Sequence, residues 1–109
     1  MEIVVLVTSP SSALARKIAH GLLEERLCAC VNIISKIESL YWWQDKIESA
    51  PEVLLVIKTR KGLFSRLQKA VRRLHSYQVP EVISLDISAG NPGYLAWVRK
   101  ETGINEATT

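Results

Sequence analysis

At 109 residues the chain has room for one domain with a real core, and its 48% hydrophobic content against 23% charged excludes a disordered polypeptide. A net charge of +3 is too small to argue for a polyanionic partner by itself. Two cysteines exclude a disulfide scaffold in a chain of this size, and no apolar run approaches the length of a membrane span.

Ile3 to Val7 is a short continuous apolar run ended by Thr8-Ser9-Pro10, which predicts a strand buried on both faces. Ser11 or Ser12 then caps a helix whose apolar face is Leu14, Ile18 and Leu22 with Ala15, Ala19 and Leu23. Cys28 to Ile34 is a second extended run, and Ile37 to Trp43 continues it after a bend or bulge at Ser35-Lys36. Gln44-Asp45-Lys46 reads as a hairpin turn, and Val53 to Ile57 as a central strand.

Arg60 to Leu74 predicts a second helix, with Leu63, Phe64, Leu67, Val71 and Leu74 at helical spacing. Glu81 to Ser88 alternates, with Ile83, Leu85 and Ile87 on one face of a last strand. Asn91-Pro92 opens a third helix anchored by Tyr94, Leu95, Trp97 and Val98. Gly103 ends it, and residues 105–109 are expected to fray.

The order is strand, helix, strand, strand, helix, strand, helix. Its simplest closure is the α+β, ferredoxin-like split βαβ sandwich: a four-stranded antiparallel sheet with helices on one face plus a C-terminal helix. Such a plan leaves one sheet face without the paired helices, and self-association is an economical cover for it.

The candidate chemistry sits in a few places. His75-Ser76-Tyr77-Gln78-Val79-Pro80-Glu81 joins the second helix to the last strand and offers an imidazole, a phenol and a carboxylate. A histidine and a proline at a helix end are equally an ordinary stop. Tyr41-Trp42-Trp43 lies on a strand, so its two tryptophans face opposite sides; one is expected against the sheet's own packing and the other at an interface. Cys28 and Cys30, two apart on a predicted strand, point the same way with poor geometry for a mutual disulfide. His20 has no Cys or His one turn on and reads as a helix-surface residue.

The basic residues Arg60, Lys61, Arg66, Lys69, Arg72 and Arg73 raise the question of nucleic acid. RNA-recognition modules of this fold plan stack bases on aromatic residues of the first and third strands, and here those strands carry none, so no nucleic-acid partner is expected. The chain lacks a glycine-rich phosphate loop, telling paired carboxylates and a nucleophile elbow, so no enzymatic activity is expected. No secretory signal or membrane segment is read, which makes a cytoplasmic location the expectation.

Five pieces of sequence carry a family resemblance: Glu25-Arg26-Leu27-Cys28-Ala29-Cys30-Val31-Asn32-Ile33, Ser39-Leu40-Tyr41-Trp42-Trp43 with Lys46-Ile47-Glu48, Val53 to Thr59, His75 to Ile83, and Tyr94-Leu95-Ala96-Trp97. In their order and spacing the chain resembles the CutA divalent-cation tolerance family over nearly its whole length. The resemblance implies a ferredoxin-like subunit in a homotrimer built like the PII signalling proteins. It also implies a part in tolerance of copper and other divalent cations, with Cu(II) or another divalent cation as ligand and no obligate cofactor.

By position the resemblance implies His75 and Glu81 as metal donors. It implies Cys30, Lys58, Tyr77, Tyr41 and Trp43 as the lining of a cleft between subunits. Ser76 stands where the family usually has proline, and Gln78 takes the amide option of that position. Val7 and Leu74 stand where some bacterial members carry a cysteine and a second histidine, and neither binds metal. A regulatory module for a small anionic ligand or a partner protein, with Lys58 supplying charge, and a trimeric scaffold are the alternative readings.

Overall fold

The structure is a computed structural model, and it describes residues 1–103. The expected fray at residues 105–109 lies outside the described residues. The elements run β1 (Glu2–Ser9), α1 (Ser12–Glu24), β2 (Cys30–Trp43), β3 (Lys46–Arg60), a 3-10 turn (Lys61–Leu63), α2 (Phe64–Leu74), β4 (Val82–Asp86) and α3 (Pro92–Glu101). The sheet order is β2-β3-β1-β4, and every neighbouring pair is antiparallel. This is the ferredoxin-like α+β plan, in which each βαβ crossover skips one strand.

One sheet face carries α1 and α2. Ile3, Val5 and Val7 of β1 and Leu55 and Ile57 of β3 are fully buried there against Ile18, Leu22, Leu67 and Val71. Ser11 caps α1 by accepting from the Leu14 N–H at 3.1 Å. At Gly21 an added Cβ would lie 2.8 Å from Leu74 Cδ1, so the missing side chain lets α2 come close. α1 ends with Leu27 N–H on Leu22 O and Arg26 N–H on Leu23 O, both at 3.0 Å, while Arg26 takes φ 57°. That is a Schellman ending with arginine at the position glycine usually fills.

α3 lies across the other face. Glu2 and Arg60 are cross-strand partners, so their side chains share a face. Arg99 Nη1 meets Glu2 Oε1 at 3.1 Å, and Arg60 Nη2 donates to the Thr102 carbonyl at 3.0 Å. α3 therefore covers only the Glu2/Arg60 end of that face. Gly103, at φ +97°, follows the helix as the sequence pattern requires.

Four local expectations change. Arg60 closes β3 rather than opening a helix, because it remains extended and paired with Glu2. β2 starts at Cys30, so Cys28 and Cys30 do not point the same way: Cys28 is buried in the helix-side core, while Cys30 pairs with Lys58 on the opposite face. Two bonds fix this difference, Thr59 Oγ1 on the Leu27 carbonyl at 2.7 Å and Ala29 N–H on the Lys58 carbonyl at 2.9 Å.

The turn consists of Gln44-Asp45, with φ 49° and 63°, and Lys46 already belongs to β3. Two left-handed residues are the geometry of a type I′ hairpin. Finally, neither Trp42 nor Trp43 packs on the sheet's own core: they are 73% and 60% exposed. The β2–β3 hairpin runs past the helices as an arm, and the subunit measures 52 × 26 × 22 Å. The bulge lies between Ile34 and Ile37, where Ser35 and Lys36 oppose Val53 alone and Lys36 takes φ 62°.

Candidate functional site

The face without α1 and α2 can be read from the register. Lys58 pairs with Val4 and Cys30, Val56 with Leu6 and Asn32, and Leu54 with Thr8 and Ile34. On β4, Leu85 pairs with Val4 and Ile83 with Leu6. The apolar alternation of β4 thus serves this face, and Ile83 and Leu85 are about half exposed in the single subunit. Beyond the bulge the same face continues through Tyr41, opposite Glu48, and Trp43, opposite Lys46.

Polar groups collect at two places on it. Near the α3 end, Lys58 Nζ donates to Asn32 Oδ1, and the Cys30 thiol lies 4.0 Å from the same oxygen. The Tyr94 phenol joins this group: burial and then the Cys30 thiol push its pKa up. Tyr94 and Trp97 stack with ring centroids 5.6 Å apart. The sequence does not mark Asn32 and Tyr94 as site residues, because only the register of β2 and the placement of α3 bring them beside Cys30 and Lys58. Cys28 takes no part; burial, then the neighbouring Cys30, pushes its thiol up to about 12.

At the other end stands the loop after α2. His75 follows α2 directly and is buried, with 8% exposure. Its Nδ1 accepts the Tyr77 N–H at 3.0 Å, and its Nε2 lies 2.7 Å from the Thr8 carbonyl. A backbone N–H must donate and a carbonyl must accept, so the proton sits on Nε2 and both ring nitrogens are engaged. Tyr77 stacks on His75 at 4.7 Å and donates its hydroxyl to Glu52 Oε2 at 2.9 Å. Burial and the Glu52 carboxylate push the Tyr77 phenol up to about 12, so it remains a donor at neutral pH.

Six of the seven sequence-predicted residues therefore fall into three places in one subunit. Cys30 and Lys58 share the α3 end, His75 and Tyr77 share the loop, and Tyr41 and Trp43 lie out on the arm. Glu81 is exposed and has no hydrogen-bond partner among the described residues. From Lys58 to Glu52 is six residues of β3, about 20 Å. Among the described residues no three His, Cys, Asp or Glu side chains come together. Within one subunit these side chains do not fit a metal: His75 would have to give up one of its hydrogen bonds, and further donors would have to come from other copies.

The family model for the CutA1 divalent ion tolerance protein matches residues 3–101. The chain belongs to the CutA1 divalent ion tolerance family. The divalent-cation tolerance protein CutA of Thermus thermophilus is 48% identical over 103 residues, covering 94% of this chain and all of the relative. The CutA homolog of Xenopus laevis is 53% identical over 92 residues, or 84% of this chain, which spans 61% of that longer relative.

Solved CutA structures share the fold. The Thermus thermophilus protein superimposes with a TM-score of 0.93 at 48% identity, covering 94% of this chain and 100% of the other. The periplasmic divalent cation tolerance protein CutA of Archaeoglobus fulgidus gives 0.91 at 37% identity, covering 94% and 99%. Among the described residues no helix is long and apolar enough to cross a membrane.

Proposed function

We propose that this chain acts as a homotrimeric, cytoplasmic, non-enzymatic protein of divalent-cation tolerance, taking a metal ion such as copper, or another small ligand, in clefts between subunits. The observation that supports this reading is the sheet face bearing Val4, Leu6, Leu54, Val56, Ile83 and Leu85, apolar along its middle and polar at both ends. Burying it against further copies would remove the exposed apolar surface. It would also allow one subunit's Cys30, Asn32 and Lys58 to approach another's His75–Glu81 loop. The names of the relatives, which describe divalent-cation tolerance, agree with this reading.

Light scattering on the purified protein should give about three times the 12.2 kDa chain mass. Calorimetric titration with Cu(II) should then show binding that weakens in His75→Ala while the assembly mass persists. Undiminished Cu(II) binding by that variant removes His75 from the site.

A second reading has an observation of its own. Both nitrogens of His75 are engaged, whereas Lys58 uses one of its three ammonium hydrogens on Asn32 and lies with the Tyr94 hydroxyl and Cys30 at the edge of the open face. That pattern suits a small anion bound in the manner of a regulatory module. Thermal stabilisation by anionic metabolites and not by divalent metals would favour it.

A further inference from the structure

The arm, Ile37–Trp43 with Lys46–Glu52, joins the body of the subunit through the bulge at Ser35-Lys36. A bulge bends a strand and increases its twist, so the joint alone is an irregular one. From Glu52 to the tip at Lys46 is about 20 Å, so a change of about 10° at the joint moves the tip by about 3–4 Å. What the arm presents is five large, exposed apolar side chains: Leu40, Tyr41, Trp42, Trp43 and Ile47.

Among the described residues, one side-chain hydrogen bond ties the arm to another element, and it falls at the joint. Glu52, opposite Ile37, is the first β3 residue on the arm side of the bulge, and its Oε2 accepts from Tyr77 Oη at 2.9 Å. Tyr77 is in turn not free to wander. Its N–H is held by His75 Nδ1, its ring lies on the imidazole, and His75 is buried with Nε2 on the carbonyl of Thr8 in β1.

We propose that the Tyr77–Glu52 hydrogen bond is a latch that sets the direction of the β2–β3 arm, with His75 as the residue that positions Tyr77. The connection runs from β1 through the loop after α2 to the arm, across elements distant in sequence. It holds whether the arm meets a second copy of this chain or another partner, in the state where His75 keeps both of its hydrogen bonds. The hydroxyl donates and the carboxylate accepts, a charge-assisted pair. Removal of either partner leaves the bulge as the sole joint.

The test uses the full chain with 5-fluorotryptophan, which reports on Trp42 and Trp43 in the arm and on Trp97 in α3 as an internal control. Tyr77→Phe is expected to shift or broaden the Trp42 and Trp43 fluorine resonances and leave Trp97 in place. Glu52→Ala should reproduce that pattern, and the double variant should add nothing to either single change. Glu52→Gln keeps an acceptor oxygen and should stay close to the unsubstituted protein. The proposal is overturned if Tyr77→Phe leaves the arm resonances where they were. It is equally overturned if all three tryptophans move together, which is general loosening rather than release of the arm.

Discussion

At the scale of single residues, histidine and cysteine show how one side chain's neighbours decide its role. His75 bridges Thr8 and Tyr77, so His75→Ala should leave a part-buried carbonyl and an N–H without partners and lower stability by about 2 kcal/mol in denaturant unfolding. A loss under about 0.5 kcal/mol would mean that water replaces both bonds. Cys28 and Tyr77 are acids held neutral by the fold, with pKa values raised to about 12 from 9.0 and 10.0. Their contribution is fully present below the unfolded values and is lost as pH rises through the folded ones. Stability should therefore fall between pH 9 and 12, first through Cys28. Urea midpoints measured from pH 8 upward should decline less steeply in Cys28→Ala, and an identical slope would exclude the thiol as a contributor.

At the scale of elements, the arm and its turn depend on backbone conformation more than on side-chain type. Gln44 and Asp45 both occupy the left-handed region, where asparagine and glycine are at ease. Replacing the pair by Asn-Gly should stabilise the hairpin by about 1 kcal/mol and slow amide exchange in the arm by about fivefold. Unchanged exchange would mean that the arm does not open through its tip. At the end of α1, Arg26 stands at a left-handed position while its guanidinium meets Glu101 Oε2 at 2.8 Å. The side chain is mostly exposed, so the ion pair contributes little, and Arg26→Gly should be neutral or slightly stabilising in thermal unfolding. A clear loss of stability would show that the link between α1 and α3 outweighs the backbone strain.

At the scale of the whole molecule, the two sheet faces differ in what they leave open. α1 and α2 bury β1 and the body of β3 on one face, whereas α3 covers only the Glu2/Arg60 end of the other. Leu85 lies on that second face and is half exposed in the subunit, so a charge there disturbs little inside one chain. It would be buried in any assembly that covers the β1–β4 part of this face. Leu85→Glu is expected to reduce the mass seen by light scattering below that of the unsubstituted protein while far-UV dichroism keeps its mixed α/β form. An unchanged mass would place the contact between copies elsewhere.

The order of elements, the ferredoxin-like plan, the bulge after Ile34 and the buried stripe of α2 follow from the sequence, because side-chain periodicity follows directly from backbone repeat; Leu23 of α1 and Tyr94 and Trp97 of α3, read as face residues, remain partly exposed in the subunit. The sequence also carried the family, through pieces such as Cys28-Ala29-Cys30-Val31-Asn32 and His75 to Ile83. Register and reach were decided only in three dimensions. Cys28 and Cys30 part company because β2 begins at Cys30, a boundary set by bonds from β3. Trp42 and Trp43 both stay exposed because the arm outruns the helices, which no local pattern states. Asn32 and Tyr94 join Cys30 and Lys58 through cross-strand pairing and helix placement, and Tyr77 meets Glu52 across 25 residues of chain. Local propensity depends on neighbours in sequence, whereas a site depends on which distant strands share a face, and only packing of the whole chain fixes that.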